Sequence, residues 1–267
     1  MRVAKPKHRG KLRAILGKEY YVSKRKLSWF LGHVKFAKQH KAEFSGYSIF
    51  KHKSIILKEL RGVDMQLQRN KRVNLELAIK HLDSIIIAPG ETFSFWKSVG
   101  RPTKTKGYLD GLVLINGKLS KGVGGGLCQL GNLLFWIFAH SPLTITERHR
   151  HGFDVFPDIN RKVPFGAGAT LSYNYIDLQV KNETNQSFYL KLWLNNTYLN
   201  GELFSQEKPY FKYEVIERNQ RIVQQYWGGY TRHNEIVKIV KDNDGIVKEQ
   251  LLAKNNAIMM YSPLLKE

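Results

Sequence analysis

Apolar positions along the chain fall into a few clear periods. Leu27, Phe30, Leu31 and Val34 recur at three- and four-residue spacings inside a Lys- and Arg-rich stretch. This predicts a helix from about Lys24 to Gln39, with Ser23 as its cap and a basic opposite face. In "NKRVNLELAIKHLDS", Val73 and Leu77 share one side, and Leu75, Ala78, Ile79 and Leu82 widen the stripe, which predicts a second helix over 70–84. "IIIAPGETFSF" then reads as a short β run, a Pro89-Gly90 turn and a second β-favouring run at 92–95. "GLVLINGKLS" is two apolar runs around Asn116-Gly117, a pair suited to a type I′ hairpin.

Beyond that hairpin, Leu127, Leu130, Leu133, Leu134, Trp136, Ile137 and Phe138 make a helix that starts near Cys128 apolar on several sides, so it belongs at the centre of a domain. Pro142 stops it, and "LTITERHRH" alternates as a strand. From residue 170 onward the pattern is mostly strands, "TLSYNYIDLQVKN", "SFYLKLWL" and "YFKYEVIER", with a hairpin at "DNDG" (242–245). The expected fold class is α+β: a buried central helix starting at the cysteine, packed on an antiparallel sheet. Three regions are expected: a basic, partly helical arm over 1–65, a core domain over 66–205 and a β-rich extension over 206–267.

The chain has 267 residues and is 42% apolar, enough for a substantial core. A single cysteine excludes an internal disulfide and fits a reducing compartment. The basic N-terminus lacks the continuous apolar stretch of a signal peptide, and "LLFWIFA" is too short to span a bilayer. A cytoplasmic protein is expected, peripheral at the inner face of the membrane. Of the net charge of +21, +13 lies in residues 1–60, which hold 16 Lys and Arg against 3 acidic residues. Such a field attracts anionic membranes, nucleic acid or anionic metabolites. Tyr20, Trp29 and Phe30 suit a membrane interface, and a solvated basic face is the bland alternative. No nucleic-acid motif accompanies the charge, so no specific nucleic acid is expected.

The candidate chemistry centres on "GVGGGLCQLGNLLFW". Gly124, Gly125 and Gly126 permit close backbone approach and place Cys128 in the first turn of the helix, where free N–H groups favour a thiolate and an oxyanion. Positions 128, 131, 132 and 135 share one stripe, and Gly131 leaves room for a passing strand. In the next strand, period-two alternation puts Glu147, His149 and His151 on one face, so one histidine is in a position to serve as base. Asp154, Asp158 or Asp177 would orient the imidazole; the sequence does not choose among them, and Asp154 stands as the working choice. A buried inert thiol is the structural alternative. Zinc held by His149, His151, Glu147 and Cys128 ranks lower, because the histidines lack zinc-site spacing, and no metal or cofactor is expected.

The runs "PGETFSFWKSVG", "KGY" at 106–108, "GVGGGLCQLGNLLFW", "HSPLTITERHRHGFDVFPD" and "PFGAGATLSYNYIDLQVKN" together resemble the VanW family, named for an accessory protein of B-type vancomycin-resistance clusters in bacteria. The resemblance matches a GGG-x-C-Q element to Gly124, Gly125, Gly126, Cys128 and Gln129. It matches E-R-x-x-H-S to Glu147, Arg148 and His151, with Gly152 in place of serine. Many members carry D-A-T-V where this chain has Gly168 at the aspartate position. The order Cys, His, Asp is similar to transglutaminase-like and papain-like enzymes as an analogy of roles. The resemblance implies an accessory protein of glycopeptide resistance or cell-envelope metabolism acting on amide or ester bonds of peptidoglycan-related peptides. Cys128 would be nucleophile, His151 base and Arg148 a carboxylate anchor, with Gly124, Gly125, Gly126, Gln129, Glu147 and His149 around the substrate. The alternatives are a binding module for anionic cell-wall precursors, and a basic nucleic-acid-binding protein.

Overall fold

A computed structural model of the chain describes residues 10–57, 64–115, 117–155 and 163–263. Its elements run α1 (Lys11–Leu31), β1 (Tyr47–Ile55), α2 (Met65–Ile79), β2 (Ile85–Ile87), β3 (Thr92–Ser94), α3 (Phe95–Val99), β4 (Asp110–Ile115), β5 (Lys118–Val123) and α4 (Cys128–Ala139). They continue with β6 (Thr144–Glu147), β7 (Phe153–Asp154), β8 (Gln179–Lys181), β9 (Phe188–Leu194), β10 (Tyr198–Ser205), β11 (Lys212–Gln224), β12 (Tyr230–Lys241) and β13 (Ile246–Met259). Strands β1-β10-β9-β2 form an antiparallel sheet, β3-β8-β6 a smaller one, and β4 and β5 a hairpin. Strands β11-β12-β13 pair antiparallel, and β7 joins β13 in parallel. The fold is therefore mixed α+β with mostly antiparallel sheets.

Helix α4 is the centre of the core, as its all-round apolar sequence requires. Leu130, Leu134, Phe135, Ile137 and Phe138 are completely buried, and the helix packs on β1, β10 and β6. Gly201 on β10 makes the close approach possible, since a Cβ there would come within 2.7 Å of the Leu133 and Ile137 side chains. Burying five such side chains is worth roughly 1.5–3 kcal/mol each before the cost of ordering the chain.

Several boundaries differ from the sequence expectation. The N-terminal helix spans Lys11–Leu31, not Lys24–Gln39. Gly32 leaves the helix with an extended backbone, and the following segment pairs instead with β3 through Ala37 N–Thr92 O (3.0 Å) and Thr92 N–Lys35 O (2.8 Å). The arm is not detached: Arg25 grips Glu147 through two hydrogen bonds of 2.5 and 2.8 Å, and Val22 is buried. Helix α2 begins earlier, where the Asp64 carboxylate accepts from Gln66 N, and it stops at Ile79. The run at 92–95 turns helical at Phe95, because Asp177 and Ser94 accept the N–H groups of Trp96 and Lys97. Strand β8 covers only the end of "TLSYNYIDLQVKN"; before it, Ser172 and Ile176 close a turn on each other.

The C-terminal strands are stitched to the core by buried polar groups. Lys238 donates to the carbonyls of Ser141 (2.8 Å) and Leu143 (3.2 Å), the turn that ends α4. Beside it His140, 8% exposed, donates from Nδ1 to the Trp136 carbonyl at 2.8 Å and stacks on Phe50 with ring centres 3.9 Å apart. Burial holds this imidazole neutral, with a pKa lowered from 6.5 to about 4. A depressed folded value means the unfolded chain binds more protons between those limits, so stability is full above pH 6.5 and is lost as pH falls through about 4. The loss from this residue is expected to be about 3 kcal/mol. Thermal unfolding of the protein and of His140→Asn, which keeps an N–H near the Trp136 carbonyl, should show the acid-side slope shrinking in the variant. Equal slopes would assign the acid sensitivity to other groups.

Candidate functional site

The sequence from Gly122 to Gln129 builds a tight loop between a hairpin and a helix. Gly124 and Gly126 adopt φ of 75° and 95°, which only glycine does without strain. Gly125 crosses the backbone of Gly111 so closely that a Cβ on either would overlap the other's carbonyl. The loop is locked by Asn74, completely buried on α2. Its amide donates to Leu109 O (3.0 Å) and Gly125 O (2.9 Å) and accepts from Leu109 N (2.8 Å). Lys71, one turn earlier, lays its methylenes over Gly126. Neither residue stood out in the sequence. The available signal was a polar series, Gln68, Lys71 and Asn74, at helical spacing; the fold buries it along with Leu75 and Ala78.

This loop delivers Cys128 to the first residue of α4, whose N-cap residue, Leu127, makes no side-chain cap. Cys128 is exposed as a residue, yet burial around its thiol pushes the pKa up, against smaller opposing effects of the Leu171 backbone and Arg150. The thiol is therefore protonated at neutral pH, unlike the stabilised thiolate expected from the helix start alone. Its hydrogen bond runs to the Leu171 carbonyl at 3.8 Å, not to an imidazole. Iodoacetamide is accordingly expected to label Cys128 slowly at pH 6, with the rate climbing only above the ordinary thiol range. Fast labelling at pH 6 would show an activated thiolate.

The predicted stripe on α4 is real, but what it faces is the segment 168–171. Gly131 lies against Leu171, where a Cβ would come within 2.8 Å of its side chain. Asn132 accepts from Ala169 N at 2.9 Å. The same segment bonds to the histidine-bearing stretch through Thr170 N–His149 O (2.8 Å) and His151 N–Thr170 Oγ1 (3.0 Å). The alternation that placed Glu147, His149 and His151 on one face fails, because a register shift falls between Ile145 and Glu147 and the strand ends at Glu147. His149 is exposed. His151 is half-buried, its Nδ1 has no hydrogen-bond partner among the described residues, and burial with Arg150 nearby lowers its pKa to about 4. It is a neutral imidazole, able to accept a proton.

Other expected site residues are engaged in holding the fold. Gln129 donates to Ser54 Oγ (2.9 Å) and Ile55 O (2.7 Å), anchoring the end of β1. Glu147 receives Arg25, Asp177 N (3.0 Å) and Gln179 Nε2 (3.1 Å). Arg148 stacks over Phe135 at 5.0 Å. It donates from Nε to Gly168 O (2.8 Å), and from Nη2 to Gly166 O and to Asn255 Oδ1 (3.1 Å). Those donors organise the 166–168 turn. Asp154 is buried, 2.9 Å from the Tyr261 hydroxyl and 3.7 Å from Arg232. Asp177 accepts from Ser94 Oγ, Trp96 N, Leu178 N and Gln179 Nε2, and burial raises its pKa to about 6. Neither carboxylate bonds to His151; Asp158 lies outside the described residues. Among the described residues no group of three or more His, Cys, Asp and Glu is placed to hold a metal.

Comparison with known proteins gives this arrangement a family. The family model described as "VanW like protein" matches residues 70–204, just over half the chain. The vancomycin B-type resistance protein VanW of Enterococcus faecalis (strain ATCC 700802 / V583) is 36% identical over 216 residues, covering 80% of this chain and 78% of that protein. The uncharacterized protein YoaR of Bacillus subtilis (strain 168) is 34% identical over 126 residues, 46% of this chain and 39% of that one. No solved structure matches the chain. Asn74, the glycine loop, Cys128, Gln129, Arg148 and His151 all fall inside the matched span, and the chain belongs to the VanW family.

Proposed function

We propose that this protein is a cytoplasmic accessory factor of glycopeptide resistance or cell-envelope metabolism, and that Cys128 performs acyl transfer or hydrolysis on amide or ester bonds of peptidoglycan-related peptides. The link to resistance rests on the relationship to VanW. The observation that carries the chemistry is an exposed cysteine as the first residue of a helix whose N-cap residue, Leu127, makes no side-chain cap, behind a glycine loop locked by Asn74. The Gln129 N–H is engaged by the Gly126 carbonyl at 3.0 Å, and the remaining first-turn N–H groups are the donors that a tetrahedral oxyanion needs.

Because thiol and imidazole are both neutral, the reaction runs by general-base catalysis and not from a standing ion pair. His151 takes the proton from Sγ, directly or through one water, as sulfur bonds to the carbonyl carbon. The C–N or C–O bond then breaks, the leaving group takes that proton, and water or an acceptor amine releases the thioester. The transglutaminase- or papain-like order of Cys, His and Asp is the working analogy for these roles.

The test is mass spectrometry of the intact protein and of its Cys128-containing peptide after incubation with a stem peptide ending in D-alanyl-D-alanine or its depsipeptide counterpart. An acyl adduct on Cys128, absent in Cys128→Ser and diminished in His151→Asn, is the expected result. No adduct and no peptide product would reject catalysis.

The raised thiol pKa favours one second reading, a binding module whose helix start holds the carboxylate of such a peptide without reacting. Calorimetry separates the two: equal peptide affinity in the native protein and Cys128→Ser, with no turnover in either, selects binding alone.

A further inference from the structure

Helix α1 is docked on one side and bare on the other. Val22, Arg25 and Trp29 face the body of the protein: Val22 is 2% exposed, Arg25 pairs with Glu147, and Trp29 meets Phe36 edge to face. Glu19 adds a contact to Arg101 at 2.6 Å, and Tyr21 stacks on Tyr175. The opposite side carries Leu12, Leu16 and Tyr20, then, past the exposed Ser23 and Lys24, Leu27, Phe30 and Leu31, with Phe30 85% and Leu12 72% exposed. A solvated surface helix places polar residues there. An apolar stripe of this length on a well-anchored helix marks an interaction surface.

The charges beside the stripe identify the occupant. Arg13 and Lys24 border one edge and Lys26 the other, all exposed, within a segment whose net charge is +13 over residues 1–60. An apolar face between basic borders complements the acyl–headgroup boundary of an anionic bilayer: the side chains enter the apolar layer while ammonium and guanidinium groups stay among phosphates. A second copy of the chain would bring the same positive borders against each other. Among the described residues no helix is long and apolar enough to cross a membrane. We propose that α1 is an interfacial membrane anchor that lies flat on an anionic bilayer through its Leu12–Leu31 stripe. The Arg25–Glu147 pair ties that anchor to β6, directly before the stretch that carries His151.

Flotation of the full-length chain with vesicles tests this. Binding is expected to equal mixtures of phosphatidylglycerol and phosphatidylcholine, but not to phosphatidylcholine alone, and it should weaken as salt shortens the screening length. Leu16→Ser combined with Phe30→Ser, both on the bare side, should lower partitioning at least about tenfold. Lys24→Gln with Lys26→Gln should lower it and flatten the salt dependence. Three results would each overturn the proposal: no binding of the native chain at low salt, undiminished binding of both double variants, or a dimer in light scattering that the Leu16 and Phe30 changes dissociate. The last would make the face an interface between copies.

Discussion

Gly125→Ala is expected to destabilise the protein by at least about 3 kcal/mol and to lower its Tm by roughly 10 °C. The new methyl group would meet the carbonyl of Gly111, and that obstacle is backbone, unable to rotate away. Neither strand has freedom to separate, since Asn74 bonds to Leu109 on one and to Gly125 on the other. Gly122→Ala is the matched control. A Cβ there makes only ordinary contact, 3.5 Å from the Val113 methyl groups, so its effect should stay within about 0.5 kcal/mol. Circular dichroism melts of the two variants decide the matter, and equal Tm values would mean that the crossing is looser than described.

Arg148→Lys is expected to be nearly as damaging as Arg148→Ala, each costing about 3 kcal/mol. Hydrogen bonds from a charged donor to buried carbonyls contribute about 1.5–3 kcal/mol, and Arg148 serves Gly166, Gly168 and Asn255 from two nitrogens, Nε and Nη2, of one planar group over Phe135. An ammonium on a flexible stem cannot span that set. Both variants should also label faster with iodoacetamide. Once the 166–168 turn loosens, Leu171 is no longer held beside the thiol. Native stability and labelling rate in the lysine variant would show that charge alone suffices at this position.

Both predictions concern residues whose identity was visible early and whose partners were not. The sequence marked the glycine loop, the cysteine at a helix start, the pairing of β4 with β5 and the long C-terminal strands, because each depends on contacts within a few residues; Asn116 itself lies outside the described residues. It placed Arg148 in the site but not its bonds, since Gly166, Gly168 and Asn255 lie up to 107 residues away. It read α2 by its apolar stripe and so left Asn74 among the polar positions. A buried asparagine is recognisable only once the carbonyls it satisfies are in place.

What the sequence determined by itself was the α+β class, the central apolar helix and the local geometry at Cys128, all consequences of side-chain periodicity and of glycine's access to positive φ. Tertiary structure decided the rest. A bulge in β6 and the end of that strand at Glu147 removed the alternation expected for Glu147, His149 and His151, and the 168–171 segment bonds to both the helix and the histidine stretch. Long-range pairing with β3 ended α1 at Leu31, and the Arg25–Glu147 ion pair fixed which side of it stays bare. The physical reason is common to these cases: period and propensity define which faces exist, while competition among distant hydrogen-bond partners chooses what each face meets.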